Sequence, residues 1–112
     1  MATVEECREA LRGLAARMDE NAAEVGGKVA LDRPLACTVK DLGVAFHGRI
    51  TGGRLVGLAD GDDPDAKIRL TATSDDLVAL VAGELDFTRA WTSGRISLSA
   101  NPFDLLKLRK LL

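Results

Sequence analysis

Tyrosine is absent from this sequence, and aromatic side chains of any kind are few: three phenylalanines and one tryptophan in 112 residues. One histidine, His47, and two cysteines, Cys7 and Cys37, are the whole supply of imidazole and thiol. Two cysteines with no histidine near either do not make a zinc site, so no metal is expected. A nucleophile needs a base and a group to orient that base, and no serine elbow surrounds His47. The glycines are scattered at turns instead of forming a phosphate-cradling loop, so no nucleotide cofactor is expected. Basic residues never gather into a long run and the net charge is −2, which excludes the electrostatic footprint of a nucleic-acid binder. No apolar stretch approaches the ~20 residues that span a bilayer, so stable membrane insertion is excluded as well. The chain opens on a polar, capped helix with none of the features of a signal peptide, and a cytoplasmic location is expected.

What is present is a change of hydrophobic period along the chain. Thr3 and Glu6 have the spacing of a capping box. After them Val4, Cys7, Leu11, Leu14 and Met18 recur in steps of three and four, predicting an amphipathic helix to about Asp19. Asn21 to Lys28, with Gly26 and Gly27, reads as a soft linker. The period then drops to two. Leu35, Cys37 and Val39 alternate with Ala36, Thr38 and Lys40, and Val44, Phe46, Gly48 and Ile50 alternate with Ala45, His47, Arg49 and Thr51. Gly52-Gly53 joins this second run to a third, Arg54 to Asp60, and signals a hairpin. Ile68, Leu70 and Ala72 form the apolar side of a fourth run, and Ile96 and Leu98 that of a fifth. One apolar and one polar face per strand predict an α+β fold: a largely antiparallel sheet with helices on one face. Cys7 and Cys37 fall on apolar positions and are expected to be free, buried thiols.

The acidic stretch Asp60-Gly61-Asp62-Asp63-Pro64-Asp65 lacks the spaced ligands and distal glutamate of a calcium loop and reads as a solvated turn. Ser74 is the expected N-cap of a helix with Asp75 and Asp76 in its first turn, where the dipole favours negative charge. Leu77, Leu80 and Val81 supply its buried side, with Val78 as a further candidate. Phe87, Ala90 and Trp91 fit a second short helical piece, and Asn101-Pro102 opens a last helix running from Phe103 to the end. In that helix Phe103, Leu105, Leu106, Leu108, Leu111 and Leu112 cover more of the circumference than one core contact needs.

The run Ser74-Asp75-Asp76-Leu77-Val78-Ala79-Leu80-Val81-Ala82-Gly83-Glu84-Leu85 is followed by Ala90-Trp91 and by Ser93-Gly94-Arg95-Ile96, a strand and an amphipathic helix. In this order the segments resemble the sterol carrier protein type 2 family, the nonspecific lipid-transfer domains. With Asp41-Leu42-Gly43 and the closing Asp104-to-Leu112 segment, they resemble small stand-alone actinobacterial members. The resemblance spans nearly all of residues 1–112, read as one domain. It implies a five-stranded sheet in the order 3-2-1-4-5 with helices on one face. It also implies an apolar tunnel for a fatty acid, fatty acyl-CoA or sterol-like lipid. Matching the family's tunnel walls to this chain points to Phe46, Leu58, Leu70, Leu77, Leu80, Val81, Phe87, Trp91, Phe103 and Leu106 as ligand-binding residues. The chain ends Lys110-Leu111-Leu112 and not in the peroxisomal tripeptide.

The expected function is therefore non-enzymatic binding or transfer of an apolar small-molecule ligand, with no catalytic residue. The alternative is a protein–protein module, including a homodimer, that uses the leucine-rich C-terminal helix. An enzyme acting on a small carbonyl or acyl group has only the closeness of Asp41, His47 and Arg49 in its favour.

Overall fold

The computed structural model describes residues 1–25 and 32–111. Helix α1 spans Val4–Val25 and leads into three strands, β1 (Asp32–Val39), β2 (Val44–Thr51) and β3 (Arg54–Asp60). Strand β4 (Ile68–Ala72) is followed by helices α2 (Ser74–Val81) and α3 (Phe87–Thr92), strand β5 (Ser97–Ser99) and helix α4 (Pro102–Leu111).

The five strands form one sheet in the order β3-β2-β1-β4-β5. All neighbours are antiparallel except β1 and β4, which run parallel with Leu35 opposite Ile68 and Val39 opposite Ala72. The fold class and strand order are those expected. The hairpin between β2 and β3 turns on Gly52 and Gly53, both at positive φ (58° and 77°), a conformation that costs glycine nothing.

The Thr3 amide donates to Glu6 Oε1 at 3.2 Å and the Glu6 amide to Thr3 Oγ1 at 3.1 Å, so the capping box forms as read. Helix α1 then runs past the expected end at Asp19 to Val25. The reason is that Ala22 stands four residues beyond Met18 and is itself buried, which extends the apolar stripe by a turn. The remainder of the expected linker lies outside the described residues. Two ion pairs lay α1 along β3. Arg8 reaches Asp60 at the strand's end with nitrogen–oxygen distances of 3.1 and 2.6 Å, and Asp19 meets Arg54 at its start, 3.1 Å away. The guanidinium of Arg8 holds the Asp60 carboxyl below the usual carboxylate range.

The core lies between α1, α2 and one face of the sheet. Cys7, Leu11, Val39, Phe46, Ala72 and Leu77 pack in one cluster, and Met18, Ile50, Leu55 and Ile68 in a second. The opposite face carries Thr38, His47, Arg49 and Thr71, yet Ala36 on that face is only 1% exposed. The acidic stretch is exposed apart from the half-buried Asp63, as expected of a solvated turn, and it and the residues just after it are bonded to three strands on the way from β3 to β4. The Gly61 amide donates to the Ala45 carbonyl, Arg69 donates to Asp62 and to the Asp63 carbonyl, and the Lys67 amide donates to the Pro34 carbonyl. His47 Nδ1 donates to the Gly61 carbonyl at 3.0 Å, which satisfies the ring structurally.

The N-cap of α2 is Thr73, not Ser74. Thr73 Oγ1 accepts the Asp76 amide at 3.2 Å. Ser74 moves one place inward because Asp41, on the β1–β2 turn, accepts both its amide (2.8 Å) and its hydroxyl (2.7 Å). These bonds hold the Asp41 carboxyl below its ordinary pKa.

Gly48 sits where the β2–β3 register slips, and a Cβ there would stand 3.1 Å from both Leu55 Cδ1 and the Val56 carbonyl oxygen. Gly13 lies in α1 with open space around it. Gly48→Ala is expected to destabilise the protein by about 1–3 kcal/mol, whereas Gly13→Ala is expected to stabilise it by about 1 kcal/mol. Thermal denaturation followed by circular dichroism measures both; equal melting temperatures would contradict this account of the β2–β3 packing.

Candidate functional site

Helices α2 and α3 approach the apolar face of the sheet from beyond its parallel pair. Leu77 is 1% exposed and anchors α2. Its neighbours Leu80 and Val81 pack on the same cluster but remain only half-buried. The guanidinium of Arg17 on α1 donates to the Val81 carbonyl and secures the end of the helix. Asp86 caps α3, accepting the Thr88 amide at 3.0 Å. Ala90 is fully buried beneath α3, while Phe87 and Trp91, one turn apart, lie on its half-exposed side with ring centroids 6.0 Å apart and tilted by 46°. From the sheet, Phe46 is buried under this group, and Leu58 and Leu70 are half-buried beside it.

The structure thus brings Phe46, Leu58, Leu70, Leu77, Leu80, Val81, Phe87 and Trp91 into one apolar cluster. Phe103 and Leu106 do not join it. They lie on the outside of α4, 72% and 59% exposed. The side chains of Leu108, Leu111 and Leu112, expected to widen the apolar face of that helix, lie outside the described residues. Val78, a further candidate for the buried side of α2, packs on the same cluster, as do Leu42 and Leu85, which were not expected there. Val78 was visible as a helical repeat, whereas Leu42 and Leu85 sit in turns, where periodicity carries no signal.

A second feature escaped sequence reading altogether. A cleft of about 490 Å³ opens between the start of β1, the middle of β2 and the start of α4, lined by Asp32, Arg33, Arg49, Lys67, Asn101 and Asp104. Its charges largely pair off: Arg49 with Asp32 at 2.6 Å and Arg33 with Asp104 at 3.2 Å. None of the ten expected ligand-binding residues lines it.

Chemically the apolar cluster offers contact surface and little else. Cys7 and Cys37 are free and buried in its floor, with both thiols pushed up in pKa by burial. His47 faces away, on the other side of the sheet. Among the described residues no group of three or more His, Cys, Asp or Glu side chains is placed to hold a metal ion. No described helix is long and apolar enough to cross a membrane.

A mixed five-stranded sheet with α1 and α2 on its apolar face and a partly covered apolar corner at α2–α3 defines a small α+β domain. The sequence profile of the SCP-2 sterol transfer family matches residues 8–112, and the chain belongs to that family. Sterol carrier protein domain 2 of Helicoverpa armigera superposes with a TM-score of 0.73 at 19% identity, covering 98% of this chain and 89% of that one. The palmitated sterol carrier protein 2-like 2 of Aedes aegypti gives 0.63 at 16% identity, over 98% and 94%. A stereoselective inverting sec-alkylsulfatase from Pseudomonas sp. gives 0.65 at 24% identity over 88% of this chain, which spans only 14% of that enzyme's length. No curated protein matches the chain significantly.

Burial pushes the Cys37 thiol up to about 12 from 9.0, with Cys7 adding to the shift. Below pH 9 the thiol is neutral in both folded and unfolded chains. Above it the unfolded chain gives up the proton and the folded one keeps it, so stability falls as pH rises from about 9 to about 12, by up to ~1.4 kcal/mol per unit. Denaturant titrations across that range are expected to show the loss, and Cys37→Ala is expected to reduce its slope. An unchanged slope in the variant would assign the effect to other groups.

Proposed function

We propose that this protein binds and carries a lipid with a long apolar chain, and that it does so without catalysis. The observation that carries the reading is the α2–α3 corner, where Leu80, Val81, Phe87 and Trp91 surround a fully buried floor yet stay half-exposed themselves. An alkyl chain laid against them removes more of that surface from water and gains about 0.8 kcal/mol per buried methylene. Covering about fifteen carbons, the apolar length of a palmitoyl chain, gains about 12 kcal/mol, and subtracting about 4 kcal/mol for association leaves about 8, which corresponds to about micromolar affinity. That suits a carrier, which must release what it holds. Membership of the SCP-2 sterol transfer family supports the reading, as does the palmitated state of the Aedes aegypti relative. The side chains of the cluster are apolar apart from its two buried thiols, which suits contact with an alkyl chain. Two free thiols suit a reducing compartment such as the cytoplasm.

Trp91 is the only tryptophan in the chain and lies within the proposed contact surface, so it reports binding directly. Titration with palmitate is expected to shift its emission with a dissociation constant of about micromolar order. Leu80→Gln is expected to weaken binding about tenfold or more, since a polar group then meets the alkyl chain. Emission that stays constant up to high micromolar palmitate, together with native mass spectrometry showing no retained lipid, would overturn the proposal.

A further inference from the structure

Across three neighbouring strands the sheet sets two cations in one row with a proline between them. Pro34 in β1 stands opposite Arg49 in β2, and its carbonyl accepts the Lys67 amide on the other side at 2.9 Å. Adjacent strands lie about 4.8 Å apart, so the two cationic residues start about 10 Å from each other at the backbone. The short ring of Pro34 fills little of the space between them, and that space belongs to the cleft of about 490 Å³. Arg33 and Asn101 line the same cleft. Its two carboxylates each hold one arginine by the Nε edge: Arg49 donates to Asp32 at 2.6 Å and Arg33 to Asp104 at 3.2 Å. Asp104 is 3% exposed, so Arg33 is anchored on a buried acid. Arg33 Nη1 also donates to the Asp32 carbonyl, and Asn101 Oδ1 accepts the Phe103 amide. Among the described residues nothing accepts from Arg49 Nη1 and Nη2, Arg33 Nη2, Lys67 Nζ or Asn101 Nδ2.

Like charges set side by side repel, and Asp32 offsets Arg49 alone. Lys67 is left without a counter-charge among the described residues, so the cleft is positive in a chain whose net charge is −2. The two acids fix the guanidinium groups and leave their outer nitrogens open, beside an ammonium and a neutral amide. That set of donors fits an anion with several oxygens pointing in different directions, which a phosphate has and a carboxylate lacks. We propose that this cleft binds the phosphate group of a small, soluble phosphate monoester. The volume exceeds what a phosphate group alone fills and leaves room for a short organic part. Pro34, the one apolar side chain of the lining, is half-buried, so the cleft offers nothing to insert into a bilayer. The site is separate from the lipid-contacting corner. It lies at the start of β1, whereas that corner packs around Val39 at the other end, about 23 Å away along the strand.

Amide NMR of the isotope-labelled protein titrated with glycerol 3-phosphate tests this without any apolar ligand, so its failure leaves the reading of the α2–α3 corner standing. A few charge-assisted hydrogen bonds correspond to a dissociation constant of about 0.1–1 mM. The shifts are expected at the backbone amides of Arg33 and Lys67 and at the side-chain amide of Asn101, and glycerol is expected to cause none. Lys67→Gln, at an exposed position, is expected to weaken binding about tenfold or more with an unchanged melting temperature, and Lys67→Arg to retain it. Lys40→Gln removes the same charge just beyond the far end of β1 and is expected to change the constant by less than about twofold. No shifts up to about 10 mM ligand, shifts confined to other parts of the protein, or equal losses in the Lys40 and Lys67 variants would each overturn the proposal. Binding to phosphatidate vesicles with no response to glycerol 3-phosphate would overturn it too, by assigning the phosphate to a lipid headgroup.

Discussion

Strand β1 is the constraint on which the rest of the structure depends. It is paired along its whole length with β2 on one side and, from Leu35 to Val39, with β4 on the other. Its period of two sends Leu35, Cys37 and Val39 to the helices and Ala36 and Thr38 to the opposite face. A slip of one residue would exchange those sets and set Thr38 and Lys40 into the core, so the register is firmly specified. The parallel pairing with β4 has a further consequence. The chain must travel from β3, at one edge, past β2 and β1 before β4 can begin opposite Leu35. The acidic stretch makes that passage, and its bonds to Ala45, His47 and Arg69, with the Lys67 amide bonded to Pro34 just beyond it, keep it against the sheet.

At the far end of β1, Asp41 accepts two hydrogen bonds from Ser74 and so joins the first turn after β1 to the start of α2. This fixes where α2 leaves the sheet. The end of α2 is fixed from the other side by Arg17 of α1, whose own position is set by the ion pairs to β3. Surface ion pairs are individually weak. Here they act together with the buried stripe of Cys7, Leu11 and Met18, and the apolar packing supplies most of the energy. The outcome for function is that α1 and α2 cover one part of the apolar face closely, while the corner between α2 and α3 is covered less.

Much of this was legible in the sequence because it was local. The capping box, the Gly52-Gly53 hairpin and the alternating strands all depend on neighbours within a few residues. The strand order came from the family resemblance, since alternation alone does not rank strands across a sheet. What escaped was long-range. Thr73 displaces Ser74 as the cap only because Asp41, more than thirty residues earlier, claims the serine. The charged cleft arises because pairing brings Pro34 opposite Arg49 and places Lys67 beside Pro34, a coincidence no periodicity announces. Leu42 and Leu85 joined the apolar cluster from turns for the same reason.

The three C-terminal helices share an arrangement that core packing alone does not account for. In α2 the small polar Ser74 is fully buried while Leu80 and Val81 are half-exposed. In α3 Ala90 is fully buried between Phe87 and Trp91, the two larger side chains, which stay partly in water. In α4 Asp104 is turned inward and Phe103 outward. A helix selected for stability alone would reverse each choice, because a buried aromatic ring contributes far more than a buried alanine or serine, and a buried carboxylate needs a partner merely to offset its desolvation. Helix α1, by contrast, follows the stability rule, with its large apolar residues inward and its charges outward. The division falls between an N-terminal scaffold that is packed conventionally and a C-terminal layer that keeps large apolar side chains available. Retaining that surface costs stability, and an apolar ligand of the kind proposed would recover part of the loss by covering it.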